Sequence, residues 1–432
     1  MYPNLYYVFD DLFGIKIGFL RFINSFGFFV AIAFLVAAAL LAKELRRKSK
    51  EGLFQPTERK LVVGGPATPG ELIVNFLLGF LFGFKILALF LIGSTAVQDP
   101  QAYIFSKNGS LWLGLLTGGF FVWMKWRERR KQQLKSPEER TVRIWPHDRV
   151  GDITVIALIV GLLGAKLFDI FENWSDFLQH PSDYIFSGGG LTFYGGLICA
   201  ALAIIYYARK NKFSIRHLAD AIAPSLMIAY AIGRIGCQTA GDGDWGIYNS
   251  AYKVDSTNHV VLAQPTDFKD TVSSRASYFL QHYGSLDSIP HKSFEKPGFL
   301  GFLPNWMVAF HYPHNVNKTG VPIADCNDMY CNRLVIPVFP TPLYEILFCT
   351  VLFFILWAVR KKMRPYGALF CLYLILNGFE RFLIEKIRVN NRMNFLGMHP
   401  TQAEVISFGL MIAGAAIWIF LLQKNRANLR KV

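Results

Sequence analysis

Runs of about twenty apolar residues, broken at intervals by dense Lys and Arg, leave this chain few ways to fold. At 1.5 Å per residue such a run matches the roughly 30 Å hydrocarbon core of a bilayer. The first, 22–42 (FINSFGFFVAIAFLVAAALLA), is followed at once by KELRRKSK. A second opens at Thr68-Pro69-Gly70-Glu71, an N-cap with a first-turn proline and a reciprocal glutamate, and runs to about Ile92. Others begin near Leu111, Ile153, Leu191, Leu218, Leu343, Leu369 and Ala403. The pattern predicts an all-α polytopic membrane protein of about nine transmembrane helices. Composition agrees: 53% of the 432 residues are hydrophobic and 17% charged, too little polar surface for a soluble enzyme or a disordered chain. Six cysteines are too sparse for a disulfide scaffold.

Charge fixes the expected orientation. The chain carries 45 Lys and Arg against 30 Asp and Glu, and 28 of the 45 fall in segments 43–60, 125–149, 209–216, 360–364 and 424–431. Threading nine spans puts all five on one side, the cytoplasmic side by the positive-inside rule. The positive charge is therefore topological, and no nucleic-acid partner is expected. The N-terminus falls outside and the C-terminus in the cytoplasm. Asp10 and Asp11 stand where a signal peptide would be basic, so no cleavage is expected. Only Lys107 is basic in the second hairpin's turn. The organisation expected is an N-terminal segment with the first span (1–69), a hydrophobic hairpin (70–149), core spans (150–246), an extracytoplasmic loop between the sixth and seventh spans (247–340), and three last spans with a basic tail (341–432). In the loop, the spacing of Cys326 and Cys331 admits either a disulfide or two free thiols. Cys199, Cys237, Cys349 and Cys371 read as small buried hydrophobes. No CxxC pair or histidine cluster calls for a metal.

Ionisable residues inside spans are costly unless paired or facing water, so they are the informative ones. Arg234 lies near the outer end of the sixth span, in AYAIGRIGCQTAGDGDWG, where three glycines in six positions after it end the helix in irregular backbone. Its alternative role is snorkelling to headgroups. Arg381 and Glu385, four apart in NGFERFLIEKIRVNNR, share a helix face, as a structural pair or as a cation beside an oriented carboxylate. Glu380 and Lys386 read as interfacial. Two guanidiniums in the outer half of a bilayer point to a lipid phosphate, which guanidinium holds bidentately. Weaker candidates are Lys166 and Asp169 in the fourth span, Tyr194 with Gly195 and Gly196 in GGGLTFYGGL, and Tyr344-Glu345 opening the seventh span. For the glycines the alternative is helix packing, for Tyr194 an interfacial belt, for Glu345 the helix dipole. Lys85 is a mid-span lysine without an evident role.

The order GGGLTFYGGL, GRIGCQTAGDGDWG, PTPLYE, ERFLIEKIR and a PTQ opening the last span resembles the prolipoprotein diacylglyceryl transferases of bacterial membranes. The resemblance covers about 20–45 and most of 150–422. It implies an inner-membrane enzyme that moves the diacylglyceryl group of phosphatidylglycerol onto the lipobox cysteine of a preprolipoprotein, releases glycerol phosphate and uses no cofactor. Arg234 falls on the signature arginine and Gly246 on the glycine closing it. Arg381 and Glu385 match the late-span pair, Tyr344-Glu345 the family's Leu-Tyr-Glu, and Gly27 the first-span glycine; Gln402 lies in the PTQ.

Several positions depart from the family. Tyr194 stands for the usual histidine, Phe26 for the first-span tyrosine, Cys237 or Gln238 for the signature asparagine, Lys166 for an arginine, and Asp242 or Asp244 for the signature's single acidic residue. A tyrosine with pKa near 10 is a poor general base. Either Tyr194 is a positioning donor and a carboxylate such as Glu385 or Asp242 takes the thiol proton, or the arginines acidify the thiol themselves. Two other readings stand beside the transferase: a family-like lipid- or lipopeptide-binding protein without turnover, and a secondary transporter, which would show two related halves with broken helices.

Overall fold

The computed structural model describes residues 1–89, 103, 108–186, 190–390, 393–394, 397 and 399–429. Phe90–Ile92 at the end of the second run, Lys107, Gly188 and Gly189 lie outside the described residues. The long helices are α1 (Ser25–Lys50), α2 (Pro69–Leu81), α3 (Leu111–Lys131), α4 (Val150–Glu172), α5 (Phe193–Lys210), α6 (Ile215–Ala240), α7 (Thr341–Val359), α8 (Ala368–Glu385) and α9 (Gln402–Leu429). Among the described residues six helices are long and apolar enough to cross a membrane: α1, α2 with its extension to Leu87, α4, α6, α7 and α9. The chain is a polytopic, mostly helical membrane protein. Of the remaining three, α8 holds Glu380, Arg381 and Glu385 within 18 residues.

The chain forms two compact units, Met1–Leu41 with Arg216–Val432, and Ala42–Ile215. In the second, helices meet on glycines. A Cβ at Gly195 would lie 2.4 Å from that of Phe168, and one at Gly196 2.9 Å from the Gly161 carbonyl, so both are consumed by the α4–α5 contact. This is the helix-packing role that stands beside a substrate contact for these glycines. Thr117 donates to the Gly79 carbonyl at 2.7 Å where α2 and α3 cross. Lys85 donates to the carbonyls of Tyr103 (3.2 Å) and Asn108 (2.7 Å), which gives the mid-span lysine its partners. The basic stretches are not all loop, a departure from the all-α expectation. Thr57–Val63 pairs antiparallel with Glu138–Ile144, with Thr57 opposite Ile144, and opposite charges face each other across it, such as Glu58 and Arg143 at 3.3 Å.

In the first unit α6, α7 and α8 share a core of Ala223, Met227, Ala231, Cys349, Leu352, Leu356 and Leu369. The buried Asp220 accepts from the amides of Gly367 (2.8 Å) and Phe370 (3.1 Å), capping α8 from a neighbouring helix. Gly378 and Gly414 let α8 and α9 approach so closely that a Cβ would meet the Ser407 carbonyl at 2.7 Å or that of Cys371 at 2.9 Å. Between α6 and α7, residues 241–340 build a small folded body around Tyr248, Phe279, Tyr312, Leu334, Ile336 and Val338. Cys326 and Cys331 are bridged there. Cys237, Cys349 and Cys371 are buried as expected, whereas Cys199 is half-buried.

Candidate functional site

Helix α6 ends where Gly241 (φ +65°) and Gly243 (φ +97°) adopt left-handed backbone, and the reversal carries Asp244 back onto Arg234. The Thr341 hydroxyl, in the first turn of α7, donates to the Asp244 carbonyl at 2.7 Å and fixes the turn. Gly246 then runs beside the segment after α8. Its amide donates to the Phe339 carbonyl at 2.8 Å, and a Cβ would stand 2.5 Å from the Ile387 carbonyl, so only glycine fits. This strand-like pairing of Gly246 with Arg388 brings a third guanidinium into the site.

Glu345, wholly buried one turn into α7, is the hub. Arg234 meets it at 2.9 Å through Nε, Arg381 at 3.2 Å and Arg388 at 3.7 Å, and the Tyr230 hydroxyl donates to it at 2.8 Å. Arg234 also pairs with Asp244, donates to Tyr230 Oη at 3.2 Å and lies 3.7 Å from Cys237 Sγ. Arg388 reaches Asp244 at 2.5 Å. Arg381 holds Glu385 at 3.2 Å across one helical turn, and Asn390 donates to the same carboxylate. Three guanidiniums and three carboxylates thus neutralise one another in a buried cluster, with Arg381 retaining the most exposure of the arginines, 22%. Arg234 is paired, which removes snorkelling as its explanation.

The carboxylates differ in availability. Burial pushes Asp244 up, but Arg234 and Arg388 outweigh it and hold its carboxyl below the usual range. Asp242 bonds to the Asp244 amide at 3.3 Å and is pushed up by burial and by the charge of Asp244. The thiol of Cys237 and the two aspartates lie within 4.8 Å of one another, a separation metal ligands also adopt. A divalent cation there would face the guanidiniums already on Asp244, so this donor set suits it poorly.

Other expected residues have contacts of their own. The Tyr344 hydroxyl is turned away, donating to the Met307 carbonyl at 2.9 Å. Gln238 accepts from the buried Tyr312 at 2.9 Å. Phe26 is 41% exposed, and its backbone packs against Gly236, where a Cβ would meet Phe26 Cα at 3.1 Å. Gly27 and Gln402 are exposed, Gln402 beside a Thr401–Glu404 capping box. Tyr194, edge-on to Phe193, opens α5, and Lys166 donates to the Gly190 carbonyl at 3.4 Å; both belong to the second unit. Glu380 is not interfacial: it is fully buried, and neither carboxyl oxygen has a hydrogen-bond partner among the described residues. Lys386 is exposed and pairs with Glu404 at 2.6 Å. Sequence reading missed Tyr230, Arg388 and Asn390. Tyr230 lies one turn before Arg234, so helical spacing held its signal. Arg388 and Asn390 follow the end of α8, and Arg388 enters through its backbone pairing with Gly246, which helical spacing does not announce.

Residues 111–420 match the family model described as prolipoprotein diacylglyceryl transferase. The chain belongs to that family. It is similar to the phosphatidylglycerol–prolipoprotein diacylglyceryl transferase of Dehalococcoides mccartyi, 25% identical over 334 residues that cover 76% of this chain and 95% of the relative. The enzyme of the same name from Shouchella clausii is 26% identical over 285 residues, 65% of this chain and 78% of its own. That of Leptospira interrogans is 26% identical over 263 residues, 55% and 61%. The family match spans both units and includes Tyr230, Arg234, Asp244, Glu345, Arg381 and Arg388.

Proposed function

We propose that this chain transfers the diacylglyceryl group of phosphatidylglycerol to the lipobox cysteine thiol of preprolipoproteins and releases glycerol phosphate. The observation that carries the reading is the convergence of Arg234, Arg381 and Arg388 on one buried carboxylate, Glu345. The thiolate attacks the glyceryl carbon bearing the phosphate; the C–S bond forms as the C–O bond breaks, and the electron pair leaves with glycerol phosphate. Phosphate charge grows from one negative charge towards two in that step, and guanidiniums held in place beforehand stabilise the increase. Glu345, Glu385 and Asp244 orient the arginines. Glu385 is occupied by Arg381 and Asn390, which leaves Asp242 as the carboxylate best suited to take the thiol proton. Tyr194 serves as a positioning donor to the lipid phosphate.

The protein lies in the bacterial cytoplasmic membrane, with α3, α5 and α8 crossing alongside the six apolar helices. The N-terminus and residues 247–340 lie outside and the C-terminus inside; the 28 basic residues grouped at alternate connections support this. The test supplies purified protein with phosphatidylglycerol and a lipobox peptide. Glycerol phosphate and a peptide heavier by one diacylglyceryl group are expected. Folded protein that binds the lipid and yields neither product would instead establish a binding protein without turnover, the reading that tyrosine in place of histidine at position 194 favours.

A further inference from the structure

Between Lys296 and Lys318 the chain carries no Asp, Glu, Lys or Arg. The first half of this stretch, PGFLGFLPNWM, folds into two short 3-10 turns, Gly298–Leu300 and Asn305–Met307. Its large side chains point outwards: Phe299 is 78% exposed, Phe302 79% and Trp306 44%. A folded loop in water gains nothing by displaying two phenylalanines so fully, and exposed apolar side chains grouped together mark a contact surface.

Its level relative to the bilayer follows from one hydrogen bond. The Met307 carbonyl accepts from Tyr344, the fourth residue of α7, at 2.9 Å. Helix α7 has 19 residues and is therefore about 28 Å long, barely the roughly 30 Å of the hydrocarbon core. It must use its whole length to cross, so its first turn lies at the core boundary and Met307 lies there with it. Leu347, Val351 and Phe354 are exposed farther along the same helix, as lipid-facing residues are. On the loop, the Lys296 ammonium folds back onto the Leu303 carbonyl, which closes the apolar turn at its base. Aromatic side chains at this depth are stable in the headgroup and upper acyl region.

We infer that the loop 297–306 is a membrane-dipping element, with Phe299, Phe302 and Trp306 inserted into the outer leaflet beside the first turn of α7. Its occupant is the lipid bilayer. The inference rests on α7 spanning the membrane and is independent of whether the chain transfers a diacylglyceryl group. The helix that anchors the loop also holds Asp244 through Thr341, so the dipping element flanks the arginine cluster at the same level.

The experiment places a nitroxide on F302C, and separately on F299C, in the full chain reconstituted in phosphatidylglycerol/phosphatidylethanolamine vesicles. Collision with oxygen and with a water-soluble nickel chelate is compared with labels on V351C, on the lipid-facing side of α7, and D287C, on the exposed loop. Unmodified protein carried through the same labelling supplies the background. Labels at 299 and 302 that favour oxygen severalfold over nickel, as at 351, are expected. Nickel accessibility equal to that at 287 at both positions would overturn the inference. So would labels that become immobile only when a lipobox peptide is added or when protein concentration rises, since the occupant would then be peptide or a second copy.

Discussion

Arg234 Nε meets the buried carboxylate of Glu345 at 2.9 Å, so a residue from the end of α6 and one from the start of α7 depend on each other for charge. Arg381 and Arg388 share the same carboxylate. Removing it leaves three guanidiniums to share Asp244 and Glu385 in a site where desolvated charge is expensive. Glu345→Ala is expected to cost about 3–5 kcal/mol of stability and to eliminate turnover. Thermal unfolding in detergent alongside the transfer assay checks this, and unchanged stability would refute the hub role.

Arg234→Ala is expected to abolish transfer, with a loss of at least ~10²–10³ in rate, because the proposed reaction has this guanidinium stabilise the growing phosphate charge. Tyr194→Phe is expected to impair turnover less. Full activity in Arg234→Ala would sink the transferase assignment.

Gly246→Ala puts a methyl 2.5 Å from the Ile387 carbonyl and must push the Arg388 segment away; a loss of about 1–3 kcal/mol and of most turnover is expected. Gly27→Ala is the matched control, since its added methyl meets nothing within 4 Å. Stability should be unchanged there, so any lost activity reports a substrate contact rather than packing.

As the proposed base, Asp242 is expected to set an acid limb on the rate. Burial and Asp244 raise its pKa, so activity should fall as pH drops through a value above the ordinary carboxylate range, and Asp242→Asn should remove that limb while lowering the rate by ~10²–10⁴. The native state of this group binds its proton more tightly than the unfolded state, so its own contribution to stability is present at low pH and fades as pH rises through the folded pKa. A pH–rate profile unchanged in the variant would exclude Asp242 as the base.

His311 works in the opposite sense. Burial, with the Arg333 charge nearby, pushes it down from 6.5 to about 4. The folded state holds it neutral, so its contribution is complete above pH 6.5 and is lost as pH falls towards 4, by about 3 kcal/mol at most. Hydrogen exchange of residues 241–340 should accelerate over that window, and His311→Gln should flatten the dependence. Exchange independent of pH once corrected for intrinsic rates would contradict it.

The chain's membrane character, its basic connections and the two principal arginines are legible in the sequence because each rests on local properties: the length of an apolar run, the side on which Lys and Arg collect, the cost of a cation in a span. The same locality misreads Glu380, whose position beside Arg381 suggests an interface and whose packing buries it completely. It leaves Asp242 and Asp244 indistinguishable, although only Asp244 carries ion pairs to Arg234 and Arg388. Two glycines with left-handed backbone decide that Asp244 turns onto Arg234 and Arg388 while Asp242 keeps a carboxyl free of either ion pair. Gly195 and Gly196 admit either a close ligand or helix packing by sequence, and the opposing helix α4 shows the packing. Sequence by itself determined which residues are too costly to be incidental. Tertiary structure decided which of them meet, because a carboxylate's role is set by the guanidiniums that two separate helices and one backbone pairing bring to it.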